Sequence, residues 1–175
     1  MNDFLTLLAQ NSISCSFFTL LVGIKHNIID NSAVTNYAVQ YLLDNPQETN
    51  PKITELAFIN RETLDVDSLL ASALKSQSMT IEPEINAWFI EERKLRLCLL
   101  LDLKEHTQSK RALLEKIAEV YAEFNYPPDM EKFIYYMPAK NYSPSQHSEH
   151  ENEQRLLRLF DEFLEKEKND LKSTI

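Results

Sequence analysis

The sequence predicts an all-α fold: a single domain over residues 1–175, with about eight or nine helices around one central buried helix. Three observations lead there. Gly23 is the one glycine in 175 residues, where average usage would give roughly a dozen. Sheets joined by tight hairpins need positive φ, which glycine supplies at least cost. Apolar residues also recur at steps of three and four along nearly the whole chain, which is the helical period. Finally, the polar stretches between these stripes are short, and no period of 30–45 residues marks a solenoid.

Taken in order, Phe4, Leu5, Leu7 and Leu8 predict a short opening helix. Phe17, Leu20, Leu21, Ile24 and Ile28 predict a second, with Ser14 as its N-cap. Gly23 inside it points to a close helix crossing. Val34, Tyr37, Ala38, Tyr41 and Leu42 form the next stripe, capped by Asn31 or Ser32 and stopped before Pro46. Pro51 suits a helix start, with Ile53, Leu56, Ala57 and Asn60 on the helix. Asp65 or Asp67 can cap another, carrying Leu69, Leu70, Ala73 and Leu74, and residues 76–83 read as a loop.

Residues 85–103 are apolar on nearly all sides, which places that helix between neighbours at the centre. Glu92 and Arg96 are spaced i, i+4 on its inner face, as an ion pair tying helices together. Leu113, Ile117, Val120, Tyr121 and Phe124 predict a further helix, ended by Pro127-Pro128. Asp129 can cap a short helix through Met137, stopped by Pro138. Residues 139–148 read as a polar loop. A last helix runs from Glu149 to Leu171, with Leu156, Leu157, Phe160, Phe163 and Leu164 inward and an acidic first turn that suits the helix dipole.

Composition excludes several functions. Glycine-rich phosphate cradles need several glycines. With 18 basic against 27 acidic residues, net −9, broad nucleic-acid binding through clustered cations is not expected. The imbalance is uneven: four basic and ten acidic residues precede position 86, against 14 and 17 after it. Cys15 and Cys98, in apolar runs, read as reduced core thiols. The start lacks the positive charge of a secretory signal, and the longest apolar run, 17–24, is too short to span a membrane. A cytoplasmic protein is expected.

No catalytic signature appears. His147-Ser148-Glu149-His150-Glu151 is the densest group of possible metal ligands, but the order H-E-x-x-H is absent and nothing completes a tetrahedral site, so a solvated helix start explains it. His26 and His106 follow apolar helical stretches, where histidine is favourable. Asp65-Val66-Asp67 lacks the glycine and closing glutamate of a calcium loop. Expected, then, are no catalytic residues, no cofactor and no metal.

The aromatic segments carry more. Tyr121-Ala122-Glu123-Phe124-Asn125-Tyr126-Pro127 and Phe133-Ile134-Tyr135-Tyr136-Met137-Pro138 read first as packing around a corner fixed by Pro127-Pro128. Tyr135, Tyr136 and Tyr142, flanking a polar loop, suit a recognition surface, since tyrosine is enriched at interfaces. With Glu151-Asn152 and Arg155-Leu156, these stretches resemble a bacterial family known as domain of unknown function 2247. Its members carry Y-A-[DE]-F-[DN]-Y-P, an aromatic-rich helix ending in Y-M-P, and a closing E-N-x-x-R-L helix. The resemblance is most specific over residues 117–160, looser over 14–45 and weak over 46–84. Asn125 stands where an acid is also common.

The resemblance implies a helical, cytoplasmic bacterial protein, in a family with some suspected immunity proteins against secreted polymorphic toxins; it carries over no catalytic residue. The expectation is therefore a non-enzymatic immunity protein that binds and neutralises a toxin domain encoded nearby. It would act as a monomer or weak dimer, with no nucleic-acid or membrane partner. A helical adaptor or regulatory module is the alternative, with a hydrolase of unrecognised type behind it. The residues expected to meet the partner are Tyr135, Tyr136, Tyr142, His147, Glu149 and Glu151.

Overall fold

The computed structural model describes residues 4–59, 65–76 and 86–172. Among them are eight α-helices, two 3-10 turns and no strand, so the helical class holds. The chain divides into two units, Met1–Leu95 and Arg96–Ile175.

The first unit contains α1 (Phe4–Gln10), α2 (Phe17–Lys25), α3 (Asn31–Asp44), α4 (Pro51–Leu56), α5 (Val66–Ser76) and the first half of α6 (Asn86–His106). Helix α2 packs on α5 and α3, and α4 on α3 and α5. Phe18, Leu20, Leu21, Leu56 and Leu70 are fully enclosed. Phe17 meets Tyr37 and Tyr41 edge-on at 5.0 Å, a favoured aromatic geometry.

Two caps differ from the expected ones by one or two residues. Helix α2 is capped by Ser16 through a capping box with Thr19, while Ser14 accepts from Lys94 Nζ at 3.3 Å. Helix α3 is capped by Asp30, whose carboxylate accepts from the Ala33 N–H; a carboxylate one residue earlier in the chain reaches the free amides at least as well as the expected Asn31 or Ser32. Asp65 does occupy the start of α5, its carbonyl accepting from the Leu69 N–H. Pro51 opens α4 as expected, behind an Asn50 cap. Asn60 and most of the expected 76–83 loop lie outside the described residues.

Gly23 is tight against Ile29 and not against a crossing helix: a Cβ at 23 would lie 2.3 Å from Ile29 Cδ1. The cause is the way α2 ends. Ile28 N–H donates to Gly23 O and Asn27 N–H to Ile24 O, with Asn27 left-handed at φ 55°; this is a Schellman stop, and it folds Ile29 back over the last turn. Helices α1 and α7 (Lys110–Glu123) end in the same way, around Ser12 at φ 56° and Asn125 at φ 59°. Three helix stops of the kind glycine usually makes are thus made by serine and asparagine.

The second unit holds the rest of α6, then α7, 3-10 turns at Glu131–Phe133 and Pro144–Gln146, and α8 (Glu149–Lys172). Leu113, Ile117, Val120 and Tyr121 of α7 are buried. Phe133, fully buried, lies between Phe160 at 5.6 Å and Phe163 at 5.0 Å. On α8 the buried positions are Phe160, Phe163, Leu164, Glu167 and Leu171, while Leu156 and Leu157 are only half-buried. The short helix expected from Asp129 to Met137 reduces to one 3-10 turn. Its β-branched and aromatic run is a poor helix former, Pro138 disfavours helical geometry at Met137, and Asp129 caps nothing because its carboxylate is taken by Arg96.

Helix α6 is buried at Lys94, Leu95, Arg96, Leu97 and Cys98 in succession, matching the all-sided apolar pattern. The expected Glu92–Arg96 pair does not form. Glu92 accepts from Trp88 Nε1 and contacts His26 Nε2, both at 2.9 Å. Arg96 instead grips Asp129 through both terminal nitrogens, at 3.1 and 2.5 Å, and reaches Glu167 at 3.3 Å. Spacing put the two residues on one face, but each met a closer partner from another segment. Glu91, also buried, accepts from Thr19 Oγ1 at 2.6 Å and pairs with Lys94 at 2.9 Å.

Candidate functional site on the second unit

Helix α8 starts at a capping box that the sequence spells as S-x-x-E. Ser148 Oγ accepts from the Glu151 N–H at 3.3 Å, and the Glu151 carboxylate accepts from the Ser148 hydroxyl and N–H at 2.7 and 2.8 Å. Those donors hold the Glu151 carboxyl below its usual range. One residue later, Asn152 pins the preceding loop: its Oδ1 accepts from the Tyr142 hydroxyl at 2.7 Å, and its Nδ2 donates to Pro144 O at 3.0 Å. A turn further, the Arg155 guanidinium lies over the Tyr142 ring, 4.2 Å from its centroid. His147 stacks on the same ring at 4.7 Å and 9°. So the E-N-x-x-R-L stretch is a clamp, and Tyr142 is what it holds.

Between this clamp, α7 and the Tyr135–Met137 turn lies a groove of about 390 Å³. Leu114, Met137 and Leu156 supply an apolar floor, and Tyr135, Arg111 and Glu153 stand along it. Arg111 is tied to Glu149 at 2.5 Å, but both are more than two-thirds exposed, so the pair adds little stability. A second, more open hollow of about 490 Å³ shares Tyr142 and Arg155 and is completed by His147, Glu151, Gln154 and Arg158.

The six residues expected to meet a partner therefore fall within one unit but do different work. Tyr142 and His147 form the stacked wall. Tyr135 and Tyr136 sit edge-to-face at 5.1 Å, 54% and 51% exposed, which is unusual exposure for two adjacent rings. Glu149 serves Arg111, and Glu151 serves the helix cap. His147 precedes α8 in extended geometry, and His150 turns to Gln154 at 2.9 Å. No group of three or more His, Cys, Asp or Glu side chains among the described residues is placed to hold a metal. Sequence reasoning gave Arg111, Asn152 and Arg155 no role, although the last two stood inside a motif already singled out.

The Y-A-E-F-N-Y-P stretch resolves into a helix stop. Tyr121 and Phe124 are buried, Asn125 is the left-handed residue, and Tyr126 follows it at φ 59°. An aromatic residue at positive φ carries strain. Tyr126 is 56% exposed and meets Tyr121 edge-on at 5.3 Å, so Tyr121 and Phe124 are the buried aromatics of the stop and Tyr126 lies at its outer edge, while Phe133 packs on Phe160 and Phe163.

The sequence matches the family described as uncharacterized protein conserved in bacteria (DUF2247) over residues 5–168. The chain belongs to that family. No curated protein and no solved structure matches it. The DUF2247 match covers both units and includes every element of the clamp. No described helix is long and apolar enough to cross a membrane.

Proposed function

We propose that this DUF2247 protein acts without catalysis, as an immunity protein that binds a bacterial toxin domain and neutralises it. Its docking face is the groove edge of the second unit. One observation carries the reading: Tyr135 and Tyr136 lie exposed beside a preformed groove whose far wall is locked by Tyr142, Asn152 and Arg155. Rigid tyrosines next to an apolar hollow favour protein recognition, because they bury large area at low entropic cost. The expectation of a toxin partner rests on the family resemblance and the acid excess, which would steer encounter with a basic surface.

The test is co-expression with the toxin domain encoded beside this chain. Protection of the cells that is lost in the Tyr135→Ser, Tyr136→Ser double variant supports the proposal. Folded wild-type protein that gives no protection and forms no complex with that toxin refutes it. Binding without protection would point to an adaptor.

A further inference from the structure

The buried Lys94 and Arg96 each have an acidic partner; Arg155 does not. Its guanidinium is half-buried and held over Tyr142, and no carboxylate lies within ion-pair distance among the described residues. In a chain with nine more acids than bases, leaving such a group unpaired runs against the electrostatic bias. A guanidinium offers five N–H donors in a rigid fork suited to carboxylate. The ring holds the guanidinium in place, and a cation held over a ring face still has N–H donors to offer. Near it in the open hollow are His147 and Arg158; Arg158 is highly exposed and only 3.9 Å from Glu162. The acid in this hollow, Glu151, is already engaged by two Ser148 donors.

Arg155 lines the groove as well as the hollow, and Glu115, Glu149 and Glu153 share the groove with it. We propose that the pair of cavities reads one short segment of a protein partner: a side-chain carboxylate bound by Arg155, next to an apolar side chain seated on Leu114, Met137 and Leu156. This rests on the docking reading above and adds its specificity. The partner surface that docks here is thus locally acidic and apolar, whatever its charge elsewhere.

The test is selection of a phage-displayed random hexapeptide library on the immobilised full chain, followed by affinity measurement on the recovered peptides. Peptides with Asp or Glu within two positions of Leu, Ile, Phe or Met are expected. They should lose about 10- to 100-fold in affinity to Arg155→Ala, the range for one charge-assisted contact. Arg155→Lys should recover only part, since ammonium neither forks nor stacks as well. A cooperative melting transition within about 4 °C of wild type in both variants shows that the fold is intact. Recovered peptides without an acid, binding unaffected by Arg155→Ala, or inorganic phosphate displacing the peptides at equal concentration would each overturn the inference; the last would mark a small-anion site. Peptides that need Tyr135 and Tyr136 but ignore Arg155 would sink this inference and leave the docking reading standing. Loss of toxin binding by the full chain would sink the docking reading itself.

Discussion

Arg96 and Arg155 belong to the same unit and touch aromatic rings in the same way, yet they are spent differently. Arg96 is 5% exposed, its guanidinium 5.6 Å over Phe163, and Asp129 and Glu167 take its terminal donors. Only its Nε lacks an acceptor among the described residues. Arg155 has the ring and no acid. The difference teaches that stacking alone does not assign a role: what decides is whether the donors are consumed inside the chain. The first arginine holds segments together; the second keeps its bonding capacity for something outside.

Stability measurements can break that contrast. The largest effect is expected from Arg96→Ala, which breaks the buried link from α6 to Asp129 and Glu167 and should cost about 3–5 kcal/mol in urea unfolding. Glu91→Ala strands Lys94 and should cost a similar amount, with Lys94→Met restoring part of it. Arg155→Ala leaves no buried acid unpaired and should cost only about 1 kcal/mol, the scale of the lost contact with the Tyr142 ring. A loss from Arg155→Ala comparable with that from Arg96→Ala would erase the distinction.

Next in size is Asn125→Val, which puts a β-branched residue at positive φ and should cost about 1–2 kcal/mol; Asn125→Gly should be close to neutral. Ser148→Ala removes the cap of α8 and should cost about 1 kcal/mol. The smallest effect is in pH. Because the folded Glu151 carboxyl titrates lower than usual, its contribution is present above the unfolded value of about 4.3 and fades as pH falls through the folded value. Glu151→Gln should therefore flatten the acid limb of the stability curve. The Cys15 thiol, pushed up to about 12 by burial, should resist iodoacetamide at pH 8 in native protein and react on unfolding.

The helices were readable because burial leaves a period: the stripes on α5 and α7 recur at the expected positions, the one on α2 holds through Ile24 while Ile28 falls beyond the helix stop, and the apolar surround of α6 announced its burial. Side-chain pairing was not readable to the same degree. Spacing put Glu92 and Arg96 on one face, but their partners come from residues four to 71 positions away in the chain, and only folding decides which is nearest. The site was legible in its residues and not in its logic. Tyr135, Tyr136 and Tyr142 stood out as aromatics flanking a polar loop, and Ser148-x-x-Glu151 spells a legible cap. Arg155 gave no signal, since an unpaired arginine can be recognised only once every nearby acid is accounted for.

The helix stops at Ser12, Asn27 and Asn125 have a consequence for the denatured chain. Glycine at those corners would widen the range of conformations the unfolded polypeptide explores, an entropic cost of about 0.4–1 kcal/mol per residue that is offset by glycine's ease at positive φ. A chain that turns on serine and asparagine begins from a narrower ensemble, so part of its resistance to unfolding is set by conformations it seldom visits.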